Sequence, residues 1–154
     1  MSEHDVAAIF KGCCGATRWV DAMTDRRPFR SRDALFKAAD QEWSRCDERD
    51  WLEAFSHHPR IGDVTAEGTA AQEQSGARDA SVSTQQALTE INRTNEQRFG
   101  HIYIVCATGK SAEEMLAIAR ERMNNDREAE LRVAAGEQRK IMHIRLEKLL
   151  GDET

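Results

Sequence analysis

The stretch His57-His58-Pro59-Arg60-Ile61-Gly62-Asp63, followed by Glu73-Gln74, gathers the residue types that acid–base chemistry needs. His58 stands directly before a proline, at the end of a helical pattern. Proline disfavours helical backbone in the residue before it and lacks an N–H of its own, so the chain is stiff there. Glu73 and Gln74 follow fifteen and sixteen residues after His58 and can meet the imidazole across a short loop. An acid/base side chain, a carboxylate partner and a hydrogen-bonding amide make a small catalytic set. The same His-Pro step also fits an ordinary helix stop, and spacing alone leaves both readings open.

A second anomaly lies near the C-terminus. Leu131, Ala135, Gln138, Met142, Arg145 and Leu149 recur at spacings of three and four and so share one helical stripe. Arg145 thus has apolar neighbours along its stripe. Such an arginine must snorkel to water, pair with a buried anion, or meet an anionic ligand.

The elements that must position these residues are helical. Only Pro28 and Pro59 interrupt the chain. A short amphipathic piece covers Asp5 to Lys11 and stops at Gly12, and a second runs from Ala16 to Met23. Asp25 to Arg30 forms a turn around Pro28. Ser31 caps a third helix through Trp43, and Asp47 caps a fourth that ends before His58-Pro59. Gly62, Gly68 and Gly76 bracket a short fifth segment carrying Glu73 and Gln74. Ser83-x-x-Gln86 reads as a capping box opening a sixth helix to Phe99, with Gly100 as its stop. His101 to Ala107 is the one strand-like stretch, β-branched and aromatic between Gly100 and Gly109. With no second strand to pair with, it reads as a buried extended connector whose backbone needs other partners, a ligand among them. Ser111-x-x-Glu114 is a second capping box, opening a helix to Met123. Asn124-Asn125-Asp126 makes a turn, and a long last helix follows to Leu150. The expected architecture is all-α: a compact single-domain bundle of seven to eight helices spanning 1–154.

Composition agrees with a soluble globular chain. There are 154 residues, 40% hydrophobic and 32% charged. No apolar run approaches the roughly 18 residues of a membrane span. The N-terminus lacks the basic start and apolar core of a secretory signal, and the C-terminus lacks a Ser-Lys-Leu tail. The expected location is therefore the cytoplasm. A net charge of −5 argues against general nucleic-acid affinity. Arg26, Arg27, Arg30 and Arg32 cluster around Pro28 with no aromatic ladder, which reads as a solvated loop. The four cysteines Cys13, Cys14, Cys46 and Cys106 show no C-x-x-C step and no zinc-like spacing, so buried free thiols and no metal are expected.

Taken in order, Arg18-Trp19-Val20, Arg27-Pro28-Phe29, His58-Pro59-Arg60-Ile61-Gly62, Glu73-Gln74, Arg98-Phe99-Gly100, Val105-Cys106-Ala107 and the tail from Glu137-Gln138 through Lys140-Ile141 to Leu149 resemble a known family. It is that of the 2-oxo-4-hydroxy-4-carboxy-5-ureidoimidazoline (OHCU) decarboxylases, which complete the conversion of urate to (S)-allantoin. The resemblance covers nearly the whole chain. It implies an all-α bundle, often a homodimer, with a small-molecule ureidoimidazoline substrate and no metal or organic cofactor. It places the catalytic histidine on His58, the active-site glutamate on Glu73 and its neighbouring glutamine on Gln74. The substrate-binding arginine falls on Arg145. Pro59 is implied to lie against the ligand, and main-chain groups around Val105 to reach its ring. Two departures bear on substrate contacts. Ala70 stands where some relatives carry serine, and His101-Ile102-Tyr103 where some carry Phe-Pro-Phe.

The residues on their own also admit a cofactor-free lyase acting on another ureide or hydantoin. A non-catalytic helical interaction module is a further alternative, with His58-Pro59 a helix stop and Arg145 a core ion pair.

Overall fold

In the computed structural model, residues 2–60 and 81–151 are described. Among them are seven helices and no strand: α1 (Glu3–Cys13), α2 (Thr17–Arg26), α3 (Arg32–Ser44), α4 (Glu48–Ser56), α5 (Val82–Phe99), α6 (Ala112–Arg122) and α7 (Arg127–Gly151). The fold is all-α. No helix among the described residues is long and apolar enough to cross a membrane. The expected short segment between Gly62 and Gly76 lies outside the described residues. The chain divides into two compact units, Met1–His57 with Gln138–Thr154, and His58–Glu137.

The first unit holds α1 to α4 and the later part of α7. Most of its helix starts follow from capping side chains. Ser2 Oγ accepts the Asp5 N–H at 3.1 Å, and Ser31 Oγ accepts the Ala34 N–H at 3.1 Å. Asp47 and Asp50 form a reciprocal capping box on α4. Ala16 cannot cap α2 with its own side chain. Glu53 of α4 does so instead, accepting the Thr17 N–H at 2.8 Å and the Thr17 hydroxyl at 2.6 Å. Those two bonds hold the Glu53 carboxyl below the usual carboxylate range.

Two boundaries differ from the sequence expectation. α1 passes through Gly12 to Cys13, because a glycine costs a helix only about 1 kcal/mol and stops it only when a left-handed residue is required. α2 runs three residues beyond Met23, to Arg26. It ends where Arg27, the residue before Pro28, turns extended at ψ 152°.

The core of this unit centres on Trp19, fully buried, with its indole N–H on the Ala39 carbonyl at 3.0 Å. Phe10 meets Trp19 edge to face at 5.8 Å. On the partly exposed side, the guanidinium of Arg139 forks onto Asp40 at 2.8 and 2.9 Å, and His143 Nε2 lies 2.6 Å from the same carboxylate.

All four cysteines are free and buried, as expected. Burial pushes the Cys13 thiol up to about 11 and those of Cys14 and Cys46 to about 12. None of these three is then a thiolate at neutral pH, which argues against using them as nucleophiles.

Gly15 lies against His57 so closely that a Cβ there would fall 2.3 Å from His57 Cδ2 and 2.7 Å from Cγ. The glycine lets the chain pass the imidazole of His57, the residue that closes α4.

The second unit holds α5, α6, the first turns of α7 and the segment between Gly100 and Ser111. α5 is capped by Ser81, whose Oγ accepts the Thr84 N–H at 3.2 Å, and not by Ser83 as the Ser-x-x-Gln pattern suggested. Ser81, Ser83 and Thr84 are all capping types, so residue identity alone does not fix which one starts the helix. Gly100 ends α5 in the left-handed conformation at φ 81°. Ser111 and Glu114 form the expected capping box on α6.

Residues 101–107 are an irregular extended segment, as the sequence suggested. Tyr103, Val105 and Ala107 alternate onto one face and pack with Leu88 of α5 and Ala112, Met115, Leu116 and Ala119 of α6.

Two predictions follow from the first unit. Gly15→Ala should destabilise the protein by about 1–3 kcal/mol, the usual cost of overpacking, read from urea unfolding. A stability equal to wild type would mean that the imidazole moves aside freely. Burial works to raise the Asp40 carboxyl, but the bonds from Arg139 and His143 outweigh it and hold the group below its ordinary 3.8. A carboxyl depressed in the folded state stabilises the fold above its unfolded value, and that contribution is lost as pH falls through the folded value. Asp40→Asn should therefore narrow its stability gap to wild type as pH drops below 3.8, measured by urea melts at neutral and acidic pH.

Candidate active site

α4 ends at Ser56, and His57 closes it with helical dihedrals (φ −86°, ψ −4°) and its N–H on the Ala54 carbonyl. His58 and Pro59 follow outside the helix, both half-buried. This is the placement that a residue before proline favours. Arg60 then forks onto Glu96 of α5, Nη2 reaching Oε2 at 3.1 Å and Nε reaching Oε1. The exit from His58-Pro59 is thereby tied to α5 by a bidentate ion pair. Glu73 and Gln74, the expected partners of His58, lie outside the described residues, as does Ala70.

Arg145 belongs to the first unit. It is half-buried, and its Nη1 donates to the Gly12 carbonyl at 3.3 Å. Cys13 and Cys14 feel its positive charge, although burial of those thiols outweighs it.

Val105 lies in the second unit and is 3% exposed. The backbone on either side of it is pinned. Arg122 Nη1 donates to the Ile104 carbonyl at 2.7 Å. The Cys106 N–H donates to Glu137 Oε1 at 3.0 Å. Lys110 Nζ donates to the Cys106 carbonyl at 2.7 Å. Val105 itself makes no backbone hydrogen bond to the described residues. Buried backbone groups are nearly always paired, so groups without a partner among the described residues call for one outside them.

Arg122 is held by Glu130, with Nε at 3.0 Å from each carboxylate oxygen and Nη2 on Oε2. The pair is buried, its side chains 7% and 0% exposed. The guanidinium also stands 4.8 Å from the Tyr103 ring centroid. The tyrosine hydroxyl donates to the Met115 carbonyl at 2.9 Å, and burial raises its ionisation well above the ordinary range.

Sequence reasoning missed Arg122, Glu130 and Glu137. A signal existed for the first. Met115, Ala119 and Arg122 continue one stripe by spacings of four and three, the same pattern that singled out Arg145. Of these two arginines, Arg122 is the one that is buried.

The family model described as OHCU decarboxylase matches residues 1–147. The uric acid degradation bifunctional protein TTL of Arabidopsis thaliana is 35% identical over 152 residues, covering 94% of this chain and 47% of that protein. A uric acid degradation bifunctional protein of Bacillus sp. is 22% identical, and the match covers 31% of its length. This chain therefore spans about half or less of those two relatives. The 2-oxo-4-hydroxy-4-carboxy-5-ureidoimidazoline decarboxylase of Haloferax volcanii is 27% identical, with 88% of this chain and 83% of that protein covered. Among solved structures, a crystal structure of OHCU decarboxylase in the presence of (S)-allantoin superposes with a TM-score of 0.83. It is 34% identical and covers 98% of this chain and 99% of its own. By this match along nearly its whole length, the chain belongs to the OHCU decarboxylase family.

Proposed function

We propose that the protein decarboxylates 2-oxo-4-hydroxy-4-carboxy-5-ureidoimidazoline to (S)-allantoin, the last step of urate breakdown, as a carboxy-lyase without metal or organic cofactor. The observation that carries this reading is the whole-chain likeness, at 34% identity, to a decarboxylase solved in the presence of (S)-allantoin. On the same reading the chain works as a cytoplasmic homodimer.

The chemistry suits these residues. The substrate carboxylate sits on a carbon that also carries a hydroxyl and adjoins a ring C=N bond. When the C–C bond to the carboxylate breaks, CO₂ leaves. The electron pair forms a new C=C bond, and the displaced C=N pair takes a proton on nitrogen. The product of that step is an enol. The enol then loses its hydroxyl proton and gains one on the neighbouring carbon, giving the amide-type ring carbonyl of allantoin. The substrate supplies its own electron sink, a task that other decarboxylases give to a cofactor. The protein must hold the ring, move protons and choose the face of protonation.

His58 is assigned the proton transfers to and from the hydroxyl and the new C–H carbon. An unperturbed imidazole titrates near pH 6.5 and can act in both directions. Its place outside α4, before Pro59, supports the assignment by limiting the backbone freedom of the group. Glu73 accepts N–H bonds of the ring or ureide, and Gln74 donates and accepts at once, as a ureide requires. Arg145 offers a planar cationic fork to substrate oxygens. Pro59 packs against the ring, and Val105 supplies main-chain groups to it.

The test generates the substrate in place from urate, with urate oxidase and hydroxyisourate hydrolase, and follows the circular dichroism of the product. Rapid appearance of optically active allantoin is expected. His58→Asn should lower turnover by about 10²–10⁴-fold, the usual contribution of a placed acid/base, while (S)-allantoin still binds. Arg145→Ala should raise KM with the fold intact. Racemic allantoin forming at the spontaneous rate with the wild-type chain would reject the decarboxylase reading. Full turnover by His58→Asn would remove His58 from the mechanism.

A further inference from the structure

We infer that Arg122 and Glu137 are positioning residues, which aim and polarise the two peptide groups flanking Val105 so that its N–H and C=O form a paired donor and acceptor for one edge of a cyclic ureide. The inference rests on the proposed function for the identity of the ligand, and on the geometry of the second unit for the residues.

The cis peptide among the described residues is Arg27–Pro28, so both peptides around Val105 are trans. In a trans peptide the C=O and N–H point in opposite directions. The Ile104 carbonyl shares its peptide with the Val105 N–H, and that carbonyl is held by Arg122 at 2.7 Å. The Cys106 N–H shares its peptide with the Val105 carbonyl, and that N–H is held by Glu137 at 3.0 Å. Anchoring one end of each plane aims the other end away from the anchor. Tyr103, Val105 and Ala107 alternate onto one face, as extended backbone requires, so the N–H and C=O of Val105 leave the chain on the same side.

Both anchors are charged, and each has the sign that strengthens the group at the far end. A guanidinium on the Ile104 oxygen draws electron density from that amide and makes the Val105 N–H a better donor. A carboxylate on the Cys106 N–H pushes density onto the Val105 oxygen and makes it a better acceptor. Arg122 is fixed in turn by Glu130 and the Tyr103 ring, so its own direction is set. A donor and an acceptor side by side match a ring edge in which an N–H adjoins a C=O, the edge that a cyclic ureide presents. An open-chain trans amide offers those two groups in opposite directions and does not fit.

The test uses the full chain labelled with ¹³C and ¹⁵N and titrated with (S)-allantoin, read at the Val105 amide proton and carbonyl carbon. In the wild type both resonances should move on binding. Glu137→Gln keeps an acceptor and loses the charge. It should leave the melting temperature unchanged, shift the Val105 carbonyl in the free protein, and weaken (S)-allantoin about fivefold, as expected when a charge-assisted bond becomes neutral. KM should rise by a similar factor with kcat held. Arg122→Lys should shift the Val105 amide proton, and Glu137→Gln decides alone should that variant fail to fold. Unchanged affinity and unchanged Val105 shifts in Glu137→Gln would overturn the inference and leave the decarboxylase reading intact. Wild-type turnover with no response at Val105 on binding would do the same. Absence of both turnover and (S)-allantoin binding in the wild type would reject the decarboxylase reading, and this inference with it.

Discussion

The second unit depends on one buried ion pair. Arg122 and Glu130 are almost wholly removed from water, and taking two charges out of water is costly unless their hydrogen bonds are satisfied. Here Glu130 receives two nitrogens of the guanidinium, with a further bond from Asn125 at 3.3 Å, while the third nitrogen donates to the Ile104 carbonyl. The pair thereby joins α6, α7 and residues 101–107, the segment that precedes α6. That segment has no neighbouring strand among the described residues, so its peptide groups take their bonds from side chains. Removing one partner of such a pair typically costs about 3–5 kcal/mol, because the other charge is left buried alone. A softer arrangement would hold α6 and α7 together with apolar side chains, but it would not direct a carbonyl.

The proposed decarboxylation would suit such a device. The proposed substrate carries its own electron sink, so on that reading the protein contributes direction: which ring edge is gripped, which proton moves and to which face. Backbone groups are well suited to that task, since they have no rotamers of their own once the peptide plane is fixed. In the first unit, burial holds the thiols of the adjacent Cys13 and Cys14 and of Cys46 in the neutral form.

Much of this was legible in the sequence because it is local. Asp47 and Ser111 announce their helices through bonds to residues three positions away, and Gly100 announces a stop through a conformation that other residues resist. The exit of α4 before His58-Pro59 has the same local origin. The extended connector was also legible, from its β-branched run between glycines. What was not legible depends on distant partners. Nothing near Gly15 reveals that His57 lies over it, forty-two residues later in the sequence. Glu53 caps a helix that begins at Thr17, and no spacing rule reaches that far. Among Ser81, Ser83 and Thr84, all capping types, residue identity alone does not pick the cap. Glu137 looks like any glutamate on a long charged helix until the Cys106 N–H is placed against it. Arg122 continues the stripe of Met115 and Ala119, a signal that the sequence reading passed over, and its counter-ion and its carbonyl could be found only in three dimensions.

The most direct test of the account is a crystal structure of this chain with (S)-allantoin bound. The account predicts the ring with an N–H and an adjoining C=O within about 3.2 Å of the Val105 oxygen and nitrogen, and with Arg122 and Glu137 still on the far ends of those peptides. Allantoin bound with neither Val105 group in contact would contradict it.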